Sequence, residues 1–176
     1  MEQDTAGLAD EIAAVLAEQA VPVVRVSARD FLQGRSVRLE YGHDDPDSAY
    51  DLWYDFPALR REVLDALLPD GRHTYLPRLR DPDTDRSVRI TPQPAPPGTV
   101  AVVDGRFFTR GDVRDGFDLV VHLDVSSGAL GRRLPPEEAE RTTGAWLRYL
   151  AEDEPTRHAD LVVRFDHPDR PALRTA

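Results

Sequence analysis

Thr99-Val100-Ala101-Val102-Val103-Asp104-Gly105 decides the fold. Four small apolar residues run together and stop at an acid and a glycine. A short unbroken apolar run fits a strand buried on both faces, the kind found in parallel sheets. The preceding Pro94-Ala95-Pro96-Pro97-Gly98 cannot join a sheet, so the strand starts late and sharply. Open α/β sheets bind ligands outside the carboxyl ends of their strands. That rule makes Asp104 and Gly105 candidates for chemistry, against the plainer reading of a core strand ending in a turn.

Working outward, three more strands are expected. Val23-Val24-Arg25-Val26-Ser27 is the first, and Asp30 lies just past its carboxyl end. Asp118 to Asp124 and Asp160 to Asp166 are the others. Between them the pattern changes to helical spacing. Leu8, Ile12, Val15 and Leu16 mark a helix over residues 6 to 20, ended by Val21-Pro22. Asp55 caps a helix from Pro57 to about Leu68, with Leu59, Val63, Leu64, Leu67 and Leu68 inward. Further helices are expected over 126–134 and 137–152. Residues 33–52 read as a polar loop, and 72–98 as a second excursion with a hairpin or lid-like loop. Strand and helix alternation predicts an α/β fold, a three-layer, mostly parallel sheet with helices on both faces. His122, among apolar residues, reads as a satisfied core histidine. His43-Asp44-Asp45 reads as solvated surface rather than a metal site.

Composition narrows the function. The 176 residues suit a single domain, 1–176. A net charge of -10 disfavours binding to nucleic acid. With no cysteine there is neither a disulfide framework nor a thiolate site. No apolar run approaches the length of a membrane span and no signal peptide opens the chain, so a cytoplasmic protein without membrane partners is expected. The chain has no lysine; its basic residues besides histidine are all arginine. Asp30, Asp104 and the arginines Arg132, Arg133 and Arg141 are what metal-assisted phosphoryl transfer would need: a base, a metal-holding acid and guanidiniums that spread developing charge. The competing reading gives Arg132 and Arg133 the ordinary task of complementing a helix carboxyl end.

From Val23 to Leu173 the chain resembles the uridine kinase-like branch of the P-loop kinases, particularly the actinobacterial members. The resemblance rests on residues 23–31 (Val-Val-Arg-Val-Ser-Ala-Arg-Asp-Phe), Tyr54-Asp55-Phe56, Ala58-Leu59-Arg60-Arg61, Ala95-Pro96-Pro97 and Val102-Val103-Asp104-Gly105. It continues through Asp118-Leu119, Leu123-Asp124, Arg148-Tyr149, residues 159–163 and Asp166-His167-Pro168. It implies transfer of a phosphoryl group from ATP, with Mg2+, to a nucleoside-like small molecule. It implies Asp30 as the acid that activates the 5'-hydroxyl, Asp104 as the metal-holding acid, and Arg132 and Arg133 in a lid over about 132–155. By the resemblance Arg141 also falls in the lid helices and Tyr75 matches a nucleoside-contacting loop aromatic; Tyr50 and Arg141 are the other expected substrate contacts.

The chain departs from that pattern at its start. Such kinases open with a strand and Gly-x-x-x-x-Gly-Lys-[Ser/Thr] before the helix read here at 6–20. The lysine would fall near Thr5 and the glycine near Asp4. The reading expects a shortened member whose first strand and phosphate loop are missing, so that strands 100–104 and 119–123 either pair directly or leave a gap. Losing the loop's N–H cradle and its lysine costs several kcal/mol of phosphate stabilisation, since one preorganised donor is worth about 3 to 4 kcal/mol. Impaired or absent activity follows, with a non-catalytic nucleoside-binding or regulatory protein as the alternative. A sheet without its central strand also predicts pairing with a second copy, a homodimer.

Overall fold

The computed structural model describes residues 2–167 and 170–174; Pro168, part of the resemblance above, lies outside them. The chain divides into two units. One comprises Glu2–Arg35 and Tyr54–Arg106, and the other Ser36–Trp53 and the residues from Phe107 on.

In the first unit, Val23–Ser27 and Val100–Asp104 pair in parallel, with Val23 opposite Val100 and Ser27 opposite Asp104. Both strands have the bounds that their β-branched runs predict. The helix Glu2–Glu18 packs on both. It starts earlier than expected and is stopped by geometry, not by Pro22. Ala20 takes φ 59°, Ala20 N donates to Ala17 O at 3.0 Å, and Val21 N donates to Leu16 O at 3.0 Å. Those two bonds make a Schellman cap, normally built on glycine. The expected apolar face is covered only in part. Ala9 is buried, Leu8 and Leu16 are half-buried, but Ile12 and Val15 are 37% and 51% exposed, because a two-stranded sheet is too narrow to cover the whole stripe.

The helix expected from Pro57 forms as Phe56–Leu59, a π-helical turn Arg60–Leu64 and Asp65–Leu67. Asp55 caps it as predicted, its Oδ1 accepting from Ala58 N at 3.0 Å. Leu59 and Val63 are fully buried. The 72–98 excursion contains the expected hairpin, Arg80–Asp81 against Arg86–Ser87, and a second antiparallel pair, Thr74–Tyr75 with Gln93–Pro94. Each strand has two residues only; Pro77, Pro82, Pro92 and Pro94 interrupt the chain's N–H groups before longer ladders can form.

In the second unit Val121–Asp124 pairs in parallel with Leu161–Arg164, which pairs antiparallel with Ala172–Leu173. The helix Pro136–Glu152 lays Ala145, Trp146 and Tyr149 into a core with Val125, Leu130 and Phe107. Residues 33–52 are more ordered than the loop expected. Within them Arg35–Arg38 and Pro46–Asp51 are helical, the latter capped by Asp45, whose Oδ2 accepts from Ser48 N at 2.6 Å.

The three-layer, mostly parallel sheet is therefore corrected to a mixed α/β fold of small sheets. Strands 100–104 and 121–124 do not pair and lie in separate sheets. Residues 4 and 5, near which the loop's last glycine and its lysine would fall, are helical. No helix among the described residues is long and apolar enough to cross a membrane.

Candidate functional site

The carboxyl end of the Val23–Ser27 and Val100–Asp104 pair gathers the two predicted acids. Register sets Ser27 opposite Asp104, and the Ser27 hydroxyl donates to Asp104 Oδ2 at 3.2 Å. Ser27 also caps the 3-10 turn Ala28–Phe31, which carries Asp30. The Asp30 carbonyl accepts from Leu79 N at 3.0 Å, which ties the hairpin to the strand end. Arg78 Nε then lies 3.5 Å from Asp30 Oδ1. Burial pushes the Asp30 carboxyl above its ordinary range; Arg78 opposes the rise and the nearby Asp104 adds to it. A partly desolvated carboxylate with a raised pKa is a better proton acceptor than a solvated one.

Asp104 is buried, its side chain 4% exposed. Arg25 Nη1 stands 2.6 Å from its Oδ1, a charge-to-charge contact without hydrogen-bond alignment. Arg25 also donates from Nε to Asp10 Oδ1 at 2.8 Å and from Nη1 to Val26 O at 2.7 Å. Sequence reasoning missed Arg25 and Ser27, although one signal was present: Arg25 is the single charge in its strand and, two residues apart, shares a face with Ser27.

Beside Arg78 a cavity of about 350 Å³ is lined by Leu76, Arg78, Leu79, Val88, Arg89, Ile90 and Thr91. Tyr75 is in the same unit but buried. Its hydroxyl donates to Gln93 Oε1 at 3.2 Å, and burial raises its pKa.

The remaining predicted residues lie in the second unit. Tyr50 is buried, its hydroxyl donates to Asp153, and Arg110 and Arg148 stack on its ring at 4.5 and 4.4 Å. Burial and the Asp153 hydrogen bond raise its pKa. Arg141 is buried; it donates to His43 O at 2.8 Å and stacks on Trp53 at 4.5 Å. Arg132 and Arg133 occupy the last turn of Ser127–Arg133. Arg132 is exposed, while Arg133 donates to Phe165 O at 2.6 Å.

The groups present do not fit Mg2+ at Asp104. One oxygen faces a guanidinium and the other accepts from Ser27, and no cluster of three His, Cys, Asp or Glu arranged for a metal exists among the described residues. Nor do they fit a nucleoside triphosphate at residues 4 and 5, which are helical and include a carboxylate. His43 is exposed, and its Nδ1 donates to Asp44 Oδ1 at 2.9 Å, as expected of solvated surface.

No protein-family model matches the chain. No curated protein matches it either. Among solved structures it is similar to one described as a possible uridine kinase from Bacillus stearothermophilus, with TM-score 0.72 and 25% identity, over 90% of this chain and 80% of that one. In three dimensions as in sequence, the chain resembles the uridine kinase-like branch of the P-loop kinases.

Proposed function

We propose that this protein binds a nucleoside-like alcohol at the Asp30 strand end, as the acceptor side of a uridine kinase-like phosphotransferase. The observation that carries the reading is Asp30 itself. It is a partly buried carboxylate with a raised pKa, beside a second acid at the carboxyl end of parallel strands and bordered by a cavity through Arg78. Asp30 accepts the ligand's hydroxyl hydrogen, and the apolar wall of Leu76, Leu79, Val88 and Ile90 shelters its uncharged body.

With Asp104 held by Arg25, phosphoryl transfer at this strand end is weak or absent, and the site works as a ligand-binding site. The Arg25 contact on Asp104 favours that second, non-catalytic reading over turnover. Calorimetric titration with uridine and other nucleosides tests the binding. Asp30→Asn removes a charge-assisted hydrogen bond of about 1.5 to 3 kcal/mol and weakens binding about 10- to 100-fold. Nucleoside affinity unchanged in Asp30→Asn, or no nucleoside bound at all, overturns the reading.

A further inference from the structure

We propose that Arg25 is the resident counter-charge of Asp104 and takes the place of a divalent cation, so that this strand-end site excludes a bound metal.

Arg25 and Ser27 alternate onto one face, and the parallel register brings the Asp104 carboxylate beside both. A carboxylate only 4% exposed needs a counter-charge, and the Arg25 guanidinium stands 2.6 Å away. Arg25 is not a mobile surface side chain that would yield its place to an incoming ion. Its fork is held by Asp10 Oδ1 at 2.8 Å, Val26 O at 2.7 Å and Ala6 O at 3.3 Å, so the helix Glu2–Glu18 clamps it against the strand. The second acid is matched as well, Asp30 by Arg78 at 3.5 Å. A divalent cation on Asp104 would stand against a fixed guanidinium, with a carboxylate already neutralised as its ligand. Like charges at such range repel strongly where water is excluded.

The test uses the full chain and no nucleoside, so its outcome is separate from that of the binding reading above. Mn2+ is titrated against the isotopically labelled protein, following paramagnetic broadening of the Ser27, Asp30 and Asp104 amides. The expected result is no saturable broadening of these three signals at millimolar Mn2+. Selective, saturable broadening there overturns the proposal. The pair itself is tested with Arg25→Met, Asp104→Asn and the double variant in urea denaturation. The double variant is expected to be no less stable than the worse single variant, because either change removes the same contact. Additive losses overturn the assignment. Should Arg25→Met fail to fold, Arg25→Lys keeps the charge and is expected to leave the Asp104 amide unbroadened by Mn2+; broadening in that variant counts against the resident charge.

Discussion

His122 gives the sharpest physical prediction. It sits in the Val121–Asp124 strand, 5% exposed, with its ring stacked on Trp146 at 5.6 Å and 17°. Burial pushes its pKa down from 6.5 to about 4, against a small opposing pull from Asp124. Its Nε2 has no hydrogen-bond partner among the described residues, so the histidine is buried but not satisfied, which corrects half of the sequence expectation. The folded state holds it neutral, while the unfolded chain takes up a proton as pH falls below 6.5. Stability is therefore full above pH 6.5, declines as pH falls, and is lost in full once pH passes the folded value near 4. At about 1.4 kcal/mol for each tenfold change in the proton equilibrium, the loss is about 3 kcal/mol. His122→Phe keeps the aromatic stack and removes the titration. Urea denaturation of both proteins at steps from pH 7 to pH 4 should show the parent losing that amount relative to the variant. The other histidines and the carboxylates are common to both and cancel in the difference. If the two stability curves run parallel across the window, the ring is not held neutral in the core and the reasoning fails.

Three further outcomes are expected. In the helix Pro136–Glu152, Gly144 lets Pro46 approach so closely that a Cβ would stand 2.6 Å from Pro46 Cβ, whereas at Gly131, in the helix Ser127–Arg133, a Cβ meets nothing within 4 Å. Gly144→Ala should lose about 1 to 3 kcal/mol by overpacking and Gly131→Ala should gain up to about 1 kcal/mol, both read by chemical denaturation; equal effects would refute the close approach. Ala20 caps its helix at φ 59°, so Ala20→Gly should stabilise by about 1 kcal/mol, and a loss of thermal stability would contradict the left-handed cap. The raised Asp30 pKa makes its ionised form a cost to folding that appears as pH rises through the ordinary carboxylate range. Asp30→Asn should accordingly be more stable than the parent at pH 7, with the advantage shrinking in acid; a less stable variant at pH 7 would reverse the sign and sink the account.

Strands were the most legible part of the chain. Val23–Ser27 and Val100–Asp104 formed with the bounds read from sequence, because β-branched runs bordered by prolines leave little choice of start and finish. Their parallel pairing then followed from the intervening helix, and with it the meeting of Asp30 and Asp104. The sheet's extent was not legible, since it depends on which strand edges find partners, a long-range outcome no local pattern encodes. The Pro46–Asp51 helix was legible but missed: Asp45-Pro46-Asp47-Ser48 is a cap followed by proline at the first helical position, obscured by the acidic composition around it.

The arginines show why a residue type at a plausible place is not yet a role. Arg132, Arg133 and Arg141 were read alike, as cations for developing charge. Arg133 already donates to Phe165 O, and Arg141 donates to His43 O while stacking on Trp53. Recruiting either to a ligand would break a hydrogen bond of charged type, worth about 1.5 to 3 kcal/mol. Arg132 is exposed in the last turn of its helix and carries no such hydrogen bond among the described residues. Arg25 escaped notice for the opposite reason. Read locally it is one more strand residue turned to solvent, and only the fold brings Asp10, Ala6 and Asp104 around its fork. A chain without lysine places all its fixed positive charge on planar, multi-donor groups, which act by holding several partners at once. Such positions are identified by counting an arginine's partners in three dimensions, and by that count Arg25 holds the strand-end site together, while Arg132 is the one of the three predicted arginines whose substitution should leave the fold intact.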